Sequence, residues 1–268
     1  MAAKPSIFNI AHRGARSLAP ENTMAAIEKA WEVGAHGIEV DIRATLDGEL
    51  ILLHDESLRR TTNVDQLYPE RQNDPVSAFL LDEVSRLDAG SWFIRSDPFG
   101  QIAAGNVSPH DLARIKYCTV PTLAEVLEFI KERAWYINIE LKQPLPPSAL
   151  EQLLALIEMI DLPIPLFAIS SFNHAYLRQL QVGRPTFEYN ALIGASKNQP
   201  QDWGNYEFET YNADFRFTDE KQITRARARN CRVNLYTVND SEQMKRFLTA
   251  GVEKIITDYP QILAAIDR

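Results

Sequence analysis

Short apolar runs that fit β-strands alternate along this chain with segments of helical spacing, and that alternation restricts the fold more than any other feature. Strand candidates cover residues 6–11, Ile38 onward, Glu49–Leu53, Tyr136–Leu141, Leu166–Ser170, Thr186–Ile193, Ala213–Phe217, Val233–Thr237 and Lys254–Thr257. Between them, Met24, Ile27 and Trp31 recur at helical spacing, as do Leu123, Val126, Leu127 and Ile130, then Leu150, Leu153, Leu154 and Ile157. Further helices are predicted over His174–Val182, Glu220–Asn230 and Ser241–Ala250. Strands alternating with helices predict a parallel α/β barrel. With 268 residues and 45% hydrophobic content the chain can bury the core of such a barrel as one domain spanning 1–268.

Two places interrupt the alternation. The strand at Ile38 and the one at Glu49 are joined through Asp47-Gly48, too short for the crossover of a dozen or more residues that parallel neighbours need. Either a barrel helix is missing there or the pair is locally antiparallel. Residues 56–118 then form a long stretch rich in Pro, Gly, Asn and Asp, with one short amphipathic piece and exposed-looking Trp92, Phe93 and Phe99. Irregular stretches of that length inside a compact domain are usually functional, and this one is read as an insertion over one end of the barrel.

The chemistry concentrates at strand ends. Glu39 and Asp41 lie two apart on an apolar strand, so both carboxylates face the same way. Side by side on a buried strand they repel and lose solvation, and a hard cation between them removes both costs. The Asp47-Gly48 turn, read as a hairpin, would set His54 opposite Asp41. His12 and Arg13 follow the first strand, and Glu140 and Lys142 share a face of the strand at Tyr136. In a barrel these ends meet at one mouth. Glu39, Asp41 and Glu140 make an oxygen donor set suited to one divalent cation, Mg²⁺ or Ca²⁺, and poor for zinc. Arg13 and Lys142 add fixed positive charge, which together with the cation describes a pocket for an anion such as phosphate. His12 and His54 can share the proton transfers, since imidazole titrates near neutrality. Singly, each residue has an ordinary structural reading; their convergence and complementary charge favour a metal-assisted hydrolytic site. His36, His110 and His174 have no such company and are read as structural or surface residues.

The formal net charge of −8, without a Lys/Arg stripe, argues against nucleic acid as a partner. The run Arg225, Arg227, Arg229 is read as a solvated helix face. Cys118 and Cys231 show no pairing signature, the first residues lack the apolar run of a signal peptide, and no stretch reaches the length of a membrane span. A cytoplasmic protein without stable membrane insertion is expected.

The motifs His12-Arg13-Gly14, Pro20-Glu21-Asn22-Thr23, Gly37-Ile38-Glu39-Val40-Asp41, His54-Asp55 and Ile139-Glu140-Leu141-Lys142 resemble the glycerophosphodiester phosphodiesterase family. Pro121-Thr122-Leu123, Ser170-Ser171-Phe172-Asn173, Tyr236-Thr237-Val238-Asn239 and Thr257-Asp258-Tyr259-Pro260 extend the likeness, in order, along nearly the whole chain. The resemblance implies a TIM-type (β/α)8 barrel with a small insertion after the third strand. It implies metal-dependent hydrolysis of glycerophosphodiesters, such as glycerophosphocholine or glycerophosphoethanolamine, to sn-glycerol 3-phosphate and an alcohol. By the same resemblance Glu39, Asp41 and Glu140 correspond to metal ligands, and His12 and His54 to the general acid/base pair. Arg13 and Lys142 correspond to phosphate-binding residues, with Phe172 and Tyr236 against the substrate. Tyr236 stands where the family frequently has Trp, which keeps an aromatic wall but adds a hydroxyl. The alternatives are a lysophospholipase D-type enzyme on the same barrel, for which Trp92, Phe93, Ile94 and Phe99 would form an apolar ramp, and a non-catalytic phosphodiester-binding protein.

Overall fold

The computed structural model describes residues 7–161, 163, 166–194 and 200–266. The expected start of the first strand at Ser6, and the leading residues 1–5, lie outside them. Nine strands are present among the described residues: β1 (Phe8–His12), β2 (Gly37–Ala44), β3 (Leu50–Leu52), β4 (Tyr136–Leu141), β5 (Phe167–Ser171), β6 (Glu188–Ile193), β7 (Thr210–Asp214), β8 (Arg232–Tyr236) and β9 (Lys254–Thr257). Eight of them, all but β3, pair in parallel in the order β1-β2-β4-β5-β6-β7-β8-β9, and β9 returns to β1 to close the barrel.

Helix α1 (Met24–Glu32) follows β1, and four short helices follow β3: α2 (Val64–Leu67), α3 (Leu81–Val84), α4 (Ser91–Ser96) and α5 (Pro109–Ile115). The outer layer continues with α6 (Leu123–Lys131), α7 (Pro147–Ile160), α8 (His174–Gly183), α9 (Glu220–Arg227), α10 (Ser241–Thr249) and α11 (Pro260–Ile266). Local signals set their starts. Thr23 Oγ1 accepts from the Ala26 amide, Thr122 and Glu125 form a reciprocal capping box, and Asp240 accepts from the Gln243 amide.

The β2–β3 pair is antiparallel, which settles the short connection: β3 is an extra strand on the part of β2 that extends beyond β1. The register departs from expectation by one residue. Ile42 pairs with Leu52 and the Leu53 amide donates to the Asp41 carbonyl, so Leu53, not His54, lies opposite Asp41. The turn runs from Thr45 to Glu49 and centres on Asp47, and this odd loop shifts the pairing. His54 comes after the strand has ended and turns toward the barrel mouth free of the strand's alternation. β7 also differs: it spans Thr210–Asp214 rather than Ala213–Phe217, because the Asp214 carboxylate accepts from the Arg216 amide and coils Phe215–Phe217 into a 3₁₀ turn.

Strand alternation divides the buried residues. Ile38, Val40, Ile42, Ile137, Ile139 and Leu141 point outward into the main apolar core beneath the helices; each fully buried aliphatic side chain contributes roughly 1.5–3 kcal/mol. The opposite faces point into the barrel and are unusually polar. They carry Asn138, Asn190, Asn212 and Asn234, and Glu188 there pairs with Lys254 at 3.1 Å and Arg232 at 3.2 Å. Residues after β3 form their own cluster around Leu58, Val76, Phe79 and Leu87. Phe93 is fully buried, and Trp92, Ile94 and Phe99 pack with it against Leu18, Ala19 and Ala26. Of the aromatic residues that look exposed in the sequence, Phe93 is therefore interior, and Trp92 and Phe99 are partly buried at the edge of the cluster.

Candidate active site

The site forms where β1 and β4 end, beside Glu39 and Asp41 in the middle of β2, which runs on past β1. Arg13 and Gly14 both have left-handed backbone (φ 57° and 81°), which turns the chain sharply off β1. Gly14 has no substitute there, since a Cβ would sit 2.6 Å from the Ala26 backbone. The Arg13 amide donates to the Glu39 carbonyl at 2.8 Å, fixing the loop to β2. Asn22, also left-handed, is not the cap of α1; its side-chain amide instead donates to Asp41 Oδ2 at 2.9 Å.

In the β2–β4 register Asp41 lies beside Glu140 and Glu39 beside Asn138. That brings Glu39, Asp41 and Glu140, all buried, to within 4.8 Å of one another. Burial works against the Asp41 carboxylate, but Arg13 (Nε at 3.0 Å) and Lys142 (Nζ at 3.4 Å) outweigh it and hold its pKa well below the usual range. Burial raises the pKa of Glu39 well above its ordinary value, with the charges of Asp41 and Glu140 adding to it. Glu140 is raised by burial and by Asp41, against the pull of Lys142 at 2.6 Å. Glu39 Oε1 and Asp41 Oδ1 are buried without a hydrogen bond, the latter with only the Lys142 ammonium 3.4 Å away. Such oxygens within a crowded carboxylate triad fit a divalent cation, which adds positive charge where Glu39 has no direct cationic partner.

Each histidine is held by an aspartate. His12 Nδ1 meets Asp258 Oδ1 at 2.6 Å, which leaves Nε2 toward the site, 3.9 Å from Glu39 Oε2. Burial lowers the His12 pKa, and the charge of Arg13 lowers it further. Asp258 also accepts from the Asn239 side chain at 2.7 Å. His54 Nδ1 meets Asp55 Oδ1 at 2.6 Å, and the His54 carbonyl accepts from Arg43 through Nε at 3.1 Å and Nη2 at 2.9 Å.

All nine residues singled out from the sequence except Asp41 line one cavity of about 170 Å³, and Asp41 lies directly beneath it in contact with Arg13 and Lys142. Phe172 and Tyr236 meet edge to face with ring centroids 6.4 Å apart. The Tyr236 hydroxyl donates to the Ile193 carbonyl at 2.7 Å, so it is engaged with β6. Asn138, Ser170 and Asn212 also line the cavity and were not signalled by charge or spacing. Asp258 and Asn239 belong to quoted motifs, but their partnership with His12 depends on the closure of β9 on β1. Of the other histidines, His110 is exposed, while His36 Nδ1 accepts from the Asn9 amide and His174 Nε2 lies 2.9 Å from the Leu192 carbonyl.

The profile of the glycerophosphoryl diester phosphodiesterase family matches residues 12–262. The chain belongs to that family. It is an enzyme, a phosphoric diester hydrolase, on a closed eight-stranded parallel barrel with one extra strand. A glycerophosphodiester phosphodiesterase of Caldanaerobacter subterraneus subsp. tengcongensis is 34% identical over 263 residues, 97% of this chain and 97% of the relative. Glycerophosphodiester phosphodiesterase domain-containing protein 5 of Homo sapiens is 30% identical over 98% of this chain, which spans 43% of that longer protein. Among solved structures, an Oleispira antarctica phosphodiesterase in complex with the product sn-glycerol-3-phosphate superposes with a TM-score of 0.77. It is 26% identical, and the match covers 97% of this chain and 96% of that one.

Proposed function

We propose that this family member hydrolyses glycerophosphodiesters of small alcohols, such as glycerophosphocholine or glycerophosphoethanolamine, to sn-glycerol 3-phosphate and the free alcohol. The observation that carries the reading is the pair of aspartate-held histidines on one cavity with Arg13, Lys142 and the carboxylate triad. An Nδ1 bound to aspartate leaves each Nε2 free for proton transfer. One histidine accepts the proton of the substrate's own glycerol hydroxyl as it attacks phosphorus, and the other donates a proton to the departing alcohol oxygen. Water then opens the resulting cyclic phosphate to give sn-glycerol 3-phosphate. Arg13 and Lys142 are matched to the non-bridging phosphate oxygens. Phe172 and Tyr236 offer an apolar wall for the carbon skeleton. Glu39, Asp41 and Glu140 would hold Mg²⁺ or Ca²⁺, which when bound polarises a phosphoryl oxygen and offsets developing charge.

The lysophospholipase D reading needs an apolar ramp, but Phe93 is fully buried, and Trp92, Ile94 and Phe99 are partly buried against the cluster around it. Among the described residues, no helix is long and apolar enough to cross a membrane. A cytoplasmic setting belongs to the same proposal, supported by two unpaired cysteines. The test is product analysis with glycerophosphocholine, glycerophosphoethanolamine and lysophosphatidylcholine in parallel. Rapid release of sn-glycerol 3-phosphate from the first two, abolished in His12→Ala and His54→Ala, is expected. Preference for the lysolipid, or tight binding of intact diesters without turnover, would replace this reading.

A further inference from the structure

Glu21 lies in the loop between β1 and α1, outside the cavity, with its side chain buried. Three arginines converge on its carboxylate. Arg13 Nη1 meets Oε1 at 2.8 Å and Arg16 Nη2 meets Oε2 at 2.9 Å. Arg60, from the segment after β3, meets both oxygens, Oε2 at 3.0 Å and Oε1 at 2.8 Å. Each arginine reaches a different part of the site with its other face. Arg60 also holds Asp55, through Nε at 2.5 Å and Nη2 at 3.1 Å, and Asp55 holds His54. Arg16 Nη1 lies 3.7 Å from Asp258 and 3.4 Å from His12 Nδ1. Arg13 Nε lies 3.0 Å from Asp41.

The result is a chain of alternating charge that joins two histidines from different segments through one carboxylate. Remove that carboxylate, and three guanidinium groups face one another with nothing between them. Arg16 and Arg60 would swing toward their remaining aspartates, Asp258 and Asp55, and compete with the histidines for them, while Arg13 keeps Asp41. We propose that Glu21 is a positioning residue that sets the orientation and tautomer of both histidines through Arg16 and Arg60. The inference rests on the functional reading for its kinetic consequence, though not for its structural one. Small errors in the placement of reacting groups are costly, about 100-fold for a shift near 1 Å.

The test combines kinetics with ¹⁵N NMR of the histidine side chains, assigned with His12→Gln and His54→Gln. In the folded wild-type protein both rings are expected as single tautomers protonated at Nδ1. Glu21→Gln should mix the tautomers of both and lower kcat by about 10- to 100-fold, with KM shifting far less. Because Glu21→Gln leaves three guanidinium groups without their shared anion and so burdens folding, two variants cut one arm each and keep the charge. Arg16→Lys should disturb only His12, and Arg60→Lys only His54. Unchanged tautomers in both arm variants, or an equal disturbance of both histidines in each, would overturn the proposal. Absence of turnover in the wild type would refute the functional reading alone, since the tautomer result decides the role of Glu21 independently.

Discussion

The same carboxylate gives a measurable dependence of stability on pH. Burial alone would raise the Glu21 pKa from its ordinary 4.5, but the hydrogen bonds from Arg60 and the charges of Arg13, Arg16 and Arg60 overcome it and bring the value to about 2. A pKa depressed on folding means that the unfolded chain binds the proton more readily. The stabilisation is therefore complete above the unfolded value and is lost as pH falls through the folded one. A displacement from 4.5 to about 2 corresponds to about 3 kcal/mol at neutral pH. At pH near 3.5 the unfolded carboxyl is largely protonated while the folded one is not, and about 2 kcal/mol remains. Urea titrations of wild type and Glu21→Gln between about pH 7 and 3.5 read this effect, because carboxylates outside the arginine cluster titrate alike in both. The difference in unfolding free energy should be level down to about pH 5 and then shrink by about 1 kcal/mol. A difference that stays constant across the range would show that Glu21 is not held ionised by the arginines.

Other substitutions probe separate parts of the account. Gly14→Ala adds a left-handed penalty of about 1–2 kcal/mol to overpacking against Ala26 of about 1–3 kcal/mol, so a loss of about 3 kcal/mol in a urea titration is expected. Tyr236→Phe should cost about 1 kcal/mol, since the Ile193 carbonyl loses its donor, and should leave the ratio of glycerophosphocholine to glycerophosphoethanolamine turnover unchanged. Glu188→Gln leaves Lys254 buried in the barrel without its anion, and thermal or urea unfolding should register a loss of about 3–5 kcal/mol with kcat of the folded enzyme unaltered.

The barrel was legible because its strands are short apolar runs and its helices carry one apolar stripe, patterns that burial on both sides of a parallel sheet imposes. Glu39, Asp41 and Glu140 stood out because acidic residues within such apolar runs have no packing reason to be there. The β2–β3 pairing was less legible: a turn around Asp47-Gly48 is visible, but its exact loop length decides whether Asp41 faces Leu53 or His54. The end of β7 depended on a local side-chain bond from Asp214 that competes with strand pairing. Glu21 lies in the quoted motif Pro20-Glu21-Asn22-Thr23 ahead of α1, and nothing local reveals that Arg60 will reach it from beyond β3. Asp258 lies 246 positions from His12, and only closure of the barrel makes them neighbours.

The central claim is metal-assisted phosphodiester hydrolysis at the mouth formed by β1, β2 and β4. It is tested most directly by following sn-glycerol 3-phosphate release from glycerophosphocholine by chelator-treated protein, before and after adding back Mg²⁺ or Ca²⁺. Wild type, Glu39→Gln and Asp41→Asn would be compared, with calorimetric binding of the same ions to each. No turnover after chelation, recovery with one bound ion per chain, and neither recovery nor binding in the two variants are expected. Undiminished turnover by the chelated protein, or full activity in Asp41→Asn, would contradict it.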